Sequence, residues 1–292
     1  GSCLVNSGIP YVFGPIGGAE YTPKKLVKGL GLKSSFFDKL RNIARFMGEH
    51  SFFTKKTIRN AKYILCTSKF TAKRCSLIRK SNKNISILSE VGFKSKEIEF
   101  LQSQMTQKED SLKICSLGRL VPIKRVDIII KAFHQANIEN SFLTIVGGGQ
   151  CENELQNLIN QLGLTSRVKI TGMIPRNEAL TIMSNSNIMA HACVHESGGW
   201  ACLETMAAGL PVVCLDWGGP GVVVTEKTGF KIQPHLPEQE IIKHMANYFI
   251  KLTDNNLRRE MSHSCKKHIK ENFSIETRCK QYLDLHKNCN IA

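Results

Sequence analysis

Short apolar runs alternate with helical patterns between residues 111 and 235, and this alternation constrains the fold more than any other feature. The strand-like runs are 113–117, 142–146, 167–171, 187–192 and 211–215. The helical patterns between them are 124–136, 152–162, 177–185 and 200–208. Continuous apolar strands separated by helices predict an α/β fold with a parallel sheet that is covered on both faces. Ligands of such folds bind where the carboxyl ends of the strands meet.

The rest of the chain repeats the alternation more weakly and suggests a second unit. Strands are predicted at 9–13, 63–66 and 85–88, and helices at 34–59 and 69–80. We therefore expect a first Rossmann-like domain over 1–95, a linker over 96–110 and a second Rossmann-like domain over 111–272. After a break near 272–274, a last helix within 273–292 is expected to return to the first domain.

Positive charge is concentrated in the first hundred residues. They hold 19 of the 40 Lys and Arg residues and 6 of the 24 Asp and Glu residues, within a net charge of +16. Aromatic residues such as Phe36, Phe37 and Phe46 lie among these cations. The mixture suits an anionic surface, such as lipid headgroups, a lipid diphosphate or nucleic acid. Because no nucleic-acid-binding motif accompanies it, an anionic membrane surface is favoured, although a solvated basic face explains the charge equally well.

Several classes of protein are excluded or disfavoured by what the sequence lacks. No apolar run reaches the roughly 18 residues that a membrane-spanning helix needs. The eleven cysteines are scattered without a Cys-x-x-Cys pair, which disfavours disulfide and zinc frameworks and favours a cytoplasmic location. There is also no Asp-x-Asp sequence, the simplest carboxylate clamp for a metal-nucleotide complex. We expect neither a bound metal nor a cofactor.

Two carboxylates, Glu196 and Glu204, bracket a glycine pair at the predicted start of an apolar helix. Unpaired amides at a helix start attract phosphate, and glycine allows a ligand to approach the backbone closely. The carboxylates can accept hydrogen bonds from hydroxyl groups on either side of that phosphate. A sugar, a diphosphate and a ribose are arranged in this order in a nucleotide-sugar, so the stretch predicts a nucleotide-sugar site.

A second pair of residues, Arg119 and Lys124, lies between a predicted strand and helix, where both cations can converge on one diphosphate. The combination of Gly-Arg-x4-Lys with Glu-x7-Glu, followed by the runs 216–221 and 228–230, resembles the retaining GT-B glycosyltransferases of family 4. The run 13–18 (Phe-Gly-Pro-Ile-Gly-Gly) resembles the subset of them that builds bacterial O-antigen and capsule polysaccharides.

This resemblance implies a GT-B architecture, in which two Rossmann-like domains face a cleft, and it implies roles for particular residues. Arg119 and Lys124 would hold the donor diphosphate, Glu196 the sugar hydroxyls and Glu204 the ribose. The implied backbone contacts are those of Ser197, Gly198, Gly199 and Trp200 with sugar and phosphate, of Gly172 and Met173 with the base, and of Gly17 and Gly18 with the diphosphate from across the cleft.

The implied reaction is metal-independent transfer, with retention, of a hexose or N-acetylhexosamine from a nucleotide-sugar. The donor would be a UDP-sugar and the acceptor a lipid-linked oligosaccharide at the inner face of the plasma membrane. The first domain is shorter than is usual in the family, so we expect it to be incomplete. Its usual catalytic histidine or aspartate cannot be located in the sequence.

Other interpretations remain open from the sequence alone. One is a GT-B relative that acts on a soluble acceptor, or a nucleotide-sugar epimerase. Others are a donor-binding fragment or a basic nucleic-acid-binding module. His191 and His195 can be proton-transfer groups or ordinary packed histidines.

Overall fold

A computed structural model describes residues 2–103 and 111–288 and contains two parallel sheets. The smaller sheet has three strands in the order β1-β2-β3. Its strands are β1 (Val12–Ile16), β2 (Tyr63–Cys66) and β3 (Ile85–Ile87). The helices of this part are α1 (Leu32–His50), α2 (Phe52–Asn60), α3 (Lys69–Arg79) and α4 (Ser95–Ser103). Strand β1 begins three residues later than the sequence predicts, because the apolar run before it lies outside the sheet.

The larger sheet has six parallel strands in the order β6-β5-β4-β7-β8-β9. They are β4 (Leu112–Leu117), β5 (Ser141–Val146), β6 (Val168–Ile170), β7 (Ile188–His191), β8 (Val212–Leu215) and β9 (Gly229–Ile232). The connecting helices are α5 (Val126–Ala136), α6 (Glu152–Gln161), α7 (Arg176–Ser184), α8 (Trp200–Ala207) and α9 (Gly218–Val223). The predicted α/β fold with a covered parallel sheet is confirmed.

Burial explains why these strands form. Every residue of β7 and β8 is buried, as expected for strands that are covered by helices on both faces. Helix α5 buries most of its apolar residues against the sheet, including Ile128, Ile129 and Phe133. Two apolar clusters result, one on each face of the larger sheet.

The order of the strands fixes where a ligand can bind. Strand β4 pairs with β5 on one side and with β7 on the other. The chain therefore reverses direction across the sheet between β4 and β7, and the loops after these two strands diverge at the carboxyl edge. Such a switch point is the usual ligand crevice of an open α/β sheet. The loop after β4 carries Arg119 and Lys124, and the loop after β7 carries Glu196.

Part of the predicted linker over 96–110 is helical. Residues up to Ser103 belong to α4, which buries Ile98 and Leu101 in an apolar cluster together with Met206. The remainder of that stretch, 104–110, lies outside the described residues. The polar composition suggested a loop, but two apolar residues at helical spacing suffice to dock the helix.

A short segment from the first part of the chain packs on the larger sheet. Leu26 and Leu30 lie in the cluster formed by α5 and its neighbours. Arg125 is fully buried beneath them and donates to the Leu26 carbonyl, to Asp127 at 2.9 Å and to Glu238 at 2.6 Å. The two sheets are therefore joined by core packing as well as by the chain connection.

The end of the described chain is helical. Helices α10 (Glu238–Lys251), α11 (Asn255–Phe273) and α12 (Ile275–Asn288) follow the larger sheet. At the junction of α11 and α12, the amide of Phe93 donates to the Phe273 carbonyl and the amide of Ile275 donates to the Phe93 carbonyl. None of the helices within 2–103 and 111–288 is both long and apolar enough to cross a membrane.

Candidate active site

Glu196, in the loop after β7, has two cationic or potentially cationic neighbours. The Lys124 Nζ donates to Glu196 Oε2 at 2.5 Å, and His191 Nε2 lies 3.4 Å from the same oxygen. Apart from this contact, the buried His191 Nε2 has no hydrogen-bond partner among the described residues. In the sequence, only the family resemblance places Glu196 and Lys124 in one site. In the structure, β4 lies beside β7, and the two side chains are in direct contact.

The surroundings keep Glu196 ionised. Burial by itself would raise the pKa of its carboxyl group, but His191 and the Lys124 ammonium outweigh burial and lower that pKa to about 2. Burial would likewise lower the pKa of Lys124, but the neighbouring Cys193 and Glu196 reverse this and raise it. At neutral pH the site therefore holds a charged carboxylate that can accept hydrogen bonds from a sugar.

The same carboxylate belongs to a set of potential metal ligands. Among the described residues, the ligand atoms of His191, Cys193 and Glu196 all lie within 4.8 Å of one another. However, burial raises the pKa of the Cys193 thiol to about 11, and the Lys124 ammonium already contacts the Glu196 oxygen. A cation there would have to displace Lys124, so the set is better explained as the environment of that lysine.

The glycine pair after Glu196 allows two backbone segments to pack closely. Gly199 has a φ of +68° and precedes α8. Gly219, at the start of α9, lies so close that a Cβ there would be 2.5 Å from the Ser197 carbonyl oxygen and 2.6 Å from the Gly199 nitrogen. The Gly219 amide donates to the Glu196 carbonyl at 2.8 Å. Helix α9 thus fixes the backbone of the loop that carries Glu196.

The start of α8 has the unpaired amides that the sequence predicts for a phosphate site. No carbonyl or side chain within the described residues accepts a hydrogen bond from the amides of Trp200, Ala201 or Cys202. These amides therefore form a set of unpaired donors at the positive end of the helix dipole. They begin four residues after Glu196, at the carboxyl edge of the sheet.

Glu204 lies one turn further along α8 and faces a different partner. Its Oε1 accepts from Arg176 Nη2 at 2.5 Å. Glu204, Trp200 and Arg176 line a pocket of about 610 Å³ between α4, α7 and α8. Trp200 is 46% exposed and its ring also contacts Phe93. The two glutamates of the motif are thus separated, one beside Lys124 and the other beside Arg176.

Arg119 lies in the loop after β4 and is exposed. Together with Lys124 and His191 it lines a narrow cavity of about 10 Å³. Its side chain forms no hydrogen bond or ion pair within the described residues. In contrast to the fully buried Arg125, its guanidinium group is available to a ligand.

The predicted base-binding residues, Gly172 and Met173, lie beside the glycine triplet after β5. Gly147 pairs with Gly172 in an isolated bridge, and a Cβ at Gly148 would lie 3.2 Å from the Met173 amide nitrogen. A Cβ at Gly147 would collide with the Gly118 carbonyl oxygen at 2.1 Å. The loops after β4, β5 and β6 therefore form one continuous backbone wall next to Arg119.

Gly17 reaches the same region from the smaller sheet. A Cβ there would lie 2.6 Å from both Ser197 Cβ and Thr67 Oγ1. Gly18 has a φ of +85°, and its amide donates to Glu20 Oε2 at 3.1 Å. Gly17 is thus in contact with the loop that carries Glu196, whereas the amide of Gly18 is already used within the chain. The ligand contacts assigned to these residues from the resemblance stay predictions.

A polar cluster joins α1 to the same loop, and no motif in the sequence predicted it. His195 Nε2 lies 3.0 Å from Asp38 Oδ1, 2.7 Å from Arg41 Nη2 and 2.8 Å from Thr22 Oγ1. Arg41 and Thr22 also donate to Asp38. Asp38 and His195 are 157 positions apart, so no local spacing could have paired them. Asp38, a carboxylate from the first part of the chain, thus contacts the residue that directly precedes Glu196.

Burial and the positive charge of Arg41 lower the pKa of His195 to about 4, although Asp38 acts in the opposite direction. Burial alone would raise the pKa of Asp38, but its bonds with Arg41 and Thr22 lower it. At neutral pH the imidazole is therefore uncharged. His195 thus connects α1 to the loop as a neutral group.

Known proteins resemble the chain in sequence. Residues 97–271 match the family described as "Glycosyl transferases group 1". The chain is 28% identical to an uncharacterized glycosyltransferase of Methanocaldococcus jannaschii, over 85% of this chain and 64% of that protein. It is also 28% identical to a UDP-Gal:alpha-D-GlcNAc-diphosphoundecaprenol alpha-1,3-galactosyltransferase of Escherichia coli, over 61% of this chain and 46% of that protein. It spans less than two thirds of either relative.

Solved structures agree on the fold. The lipopolysaccharide outer core galactosyltransferase WaaB superposes with a TM-score of 0.67 and 16% identity, covering 82% of this chain and 65% of WaaB. The HepE protein of Anabaena, solved in complex with UDP, superposes with a TM-score of 0.64 and 20% identity, covering 88% of this chain and 77% of HepE. The two parallel sheets, with a switch point between β4 and β7 of the larger one, define a GT-B fold of the glycosyltransferase class. Because the sequence match extends over more than half of it, the chain belongs to the glycosyl transferases group 1 family.

Proposed function

We propose that this protein transfers a hexose or N-acetylhexosamine from a nucleotide-sugar, with retention, as a family 4 enzyme. The observation that supports this best is the ionised carboxylate of Glu196. Lys124 and His191 hold it charged, four residues before the unpaired amides of α8. An ionised acceptor for sugar hydroxyls next to donors for phosphate is the arrangement that a nucleotide-sugar requires.

In the proposed reaction the protein stabilises charge and supplies no nucleophile. As the bond to the leaving diphosphate breaks, negative charge develops on the phosphate oxygens. Arg119, Lys124 and the α8 amides would stabilise that charge, which makes a metal ion unnecessary. Front-face displacement explains retention, with a leaving phosphate oxygen taking the proton of the acceptor hydroxyl. Glu196 would hold the sugar in position during this step.

The donor is proposed to be a UDP-sugar and the acceptor a lipid-linked oligosaccharide in bacterial surface polysaccharide synthesis. The Escherichia coli relative is named for a UDP-Gal donor and a diphosphoundecaprenol acceptor, and the HepE structure holds UDP. We place Glu204 at the ribose and the wall formed by Gly172 and Met173 at the base. We locate the reaction at the inner face of the plasma membrane, where such acceptors are assembled.

The donor is tested by a thermal-shift screen of the protein with UDP-, GDP- and ADP-sugars. We expect a concentration-dependent rise in Tm with the UDP-sugars, since a ligand that binds only the folded state stabilises it by mass action. Absence of a shift with every nucleotide-sugar would overturn the proposal. A shift only with GDP- or ADP-sugars would overturn the choice of base.

The role of Glu196 is tested by Glu196→Gln, which keeps the shape of the side chain and removes its charge. Transfer from the UDP-sugar to a polyprenyl-diphosphate-linked sugar should fall by roughly 10²–10³-fold. UDP alone should still bind, because the proposed contact of Glu196 is with the sugar. The matched control is Glu178→Gln, an exposed glutamate on α7, which should transfer at the normal rate. Normal transfer by Glu196→Gln would refute the assignment.

A further inference from the structure

Helix α1 has its polar side against the protein. Asp38, Asn42, Arg45 and Glu49 follow one another at spacings of four, three and four residues, which places them on one face. Arg45 donates to the Ala19 and Glu20 carbonyls at 2.8 and 2.6 Å, Asn42 donates to Asp38, and Glu49 pairs with Arg74. Within α1, which the structure describes in full, Asp38 is the single buried residue. Polar contacts, not apolar burial, dock this helix.

The opposite face of α1 is apolar and open to solvent. It is formed at the same four-three-four spacing by Phe36, Leu40, Ile43 and Met47, which are 59%, 44%, 56% and 67% exposed. We call these four residues the α1 apolar face. The exposed Phe52 and Phe53 at the start of α2 follow within one turn of the end of α1. An apolar stripe of this size that is exposed to solvent marks a binding site for an apolar partner.

The charges around this face have one sign. Of the residues described between 2 and 60, the three acidic ones (Glu20, Asp38 and Glu49) all turn inward and are hydrogen-bonded there. Ten lysines and arginines belong to the same stretch. The exposed cations among them are Lys24, Lys25, Lys28, Lys33, Lys39, Arg41 and Arg59. The exposed charges that residues 2–60 place around the apolar face are therefore all positive.

We infer that α1 and the start of α2 form a docking face for an anionic lipid bilayer. An apolar stripe flanked by cations lies at the boundary between headgroups and acyl chains, where both kinds of side chain are satisfied. A second copy of the chain would fit less well, because it would oppose positive charge with positive charge. The occupant that satisfies the apolar stripe and the cations together is a membrane that contains acidic phospholipid.

The membrane face adds to the proposed function the surface at which the protein would meet its lipid-linked acceptor. Only this connection to the acceptor rests on the proposed function. The two can fail separately. Loss of vesicle binding with normal UDP binding would remove the membrane face alone. Vesicle binding without binding of any nucleotide-sugar would remove the proposed function alone.

The test is co-sedimentation of the protein with vesicles. One set contains phosphatidylcholine, and the other contains equal parts of phosphatidylcholine and phosphatidylglycerol. We expect the protein to bind the second set and to be released as salt is raised, since salt screens the cations. The double variant F36S/I43S should weaken binding by roughly tenfold or more, because two side chains that enter the bilayer are lost. The substitution Lys39→Glu should weaken it without altering the apolar face.

Leu283→Ser is the matched control, because Leu283 is 60% exposed on α12 and lies outside the face. It should bind like the unchanged protein, and circular dichroism with UDP binding verifies that each variant is folded. Equal binding to neutral and anionic vesicles would overturn the inference. So would unaltered binding by both F36S/I43S and Lys39→Glu. A lipid-free dimer that the same variants dissociate would assign the face to a second copy instead.

Discussion

At the scale of single residues, the site contains two largely buried titratable groups, of which one is charged and one is neutral at pH 7. Glu196 is held ionised by His191 and Lys124, whereas His195, its neighbour in sequence, is held neutral by burial and by Arg41. The sequence identified Glu196 and Lys124 because motif residues follow strands that meet at one edge. It could not identify Asp38 as the partner of His195, since their contact depends on how α1 is placed against the larger sheet.

The His195 pair predicts how stability responds to acid. The pKa of His195 is about 4 in the folded protein and about 6.5 in an unfolded chain. Stability is therefore complete above about pH 6.5 and decreases as the pH falls toward about 4, by on the order of 3 kcal/mol. His195→Gln keeps the hydrogen-bonding capacity and removes the titration, so its free energy of unfolding should fall less over this interval.

The measurement is urea unfolding at several pH values between 4 and 7, a range set by the two pKa values. His134→Gln serves as the control, because His134 is exposed on α5 and should leave the pH profile unchanged. Identical profiles for His195→Gln and the unchanged protein would show that His195 does not titrate as described. Arg41, Asp38 and Arg45 are the charged groups that set its pKa.

At the scale of elements, the strands of the larger sheet are predictable and their supports less so. Periodicity predicted β4, β5, β6, β7 and β8, because a short continuous apolar run is typical of a strand that helices cover on both faces. Strand β9 was missed because it is short, half-buried and begins with a glycine. Helix α9 was missed because three of its six residues are glycine and one is proline, although the glycines let it pack closely on the loop after β7.

The packing of α9 can be tested at Gly219. Gly219→Ala should lower the free energy of unfolding by about 1–3 kcal/mol, since its Cβ would enter the space of the Ser197 carbonyl. It should also weaken binding of a UDP-sugar, because the loop that carries Glu196 would have to move. Thermal unfolding and calorimetry measure the two effects.

Gly48→Ala is the control at this scale. Gly48 lies in α1 with no heavy atom within 4 Å of its Cβ position, so alanine should be neutral or stabilise by up to about 1 kcal/mol. If both variants behaved alike, close packing of α9 against the loop would not be what fixes the site.

At the scale of the whole molecule, the two sheets are held together by more than the chain connection. Tyr21 and Phe70 contact Trp217, with ring centroids 5.2 and 5.5 Å apart. Leu26 and Leu30 lie above the buried Arg125. The family resemblance predicted two units and a cleft, but not that residues 24–30 would pack in the core of the larger sheet. Their apolar residues are too few to show a periodicity.

Arg125 and Arg119 form a matched pair for testing this joint. Arg125→Met leaves Asp127 and Glu238 without their shared buried partner and should cost about 3–5 kcal/mol of stability. Arg119→Met removes an exposed guanidinium group that has no partner among the described residues, and should leave stability unchanged while transfer is lost. Urea unfolding and transfer assays compare the two. If Arg119→Met lost stability and Arg125→Met lost only transfer, Arg119 would be the structural arginine and Arg125 the one that binds the ligand.

The inverted helix α1 has one more consequence. The helix is about 28 Å long. Its inner side contacts the imidazole of His195, next to Glu196, and its outer side is apolar. A displacement of α1 would therefore reach the loop that carries Glu196 directly, through the contacts of Asp38 and Arg41 with His195. If both proposals hold, binding of the membrane by α1 and transfer of the sugar are coupled, and the protein should transfer more slowly when no membrane is present.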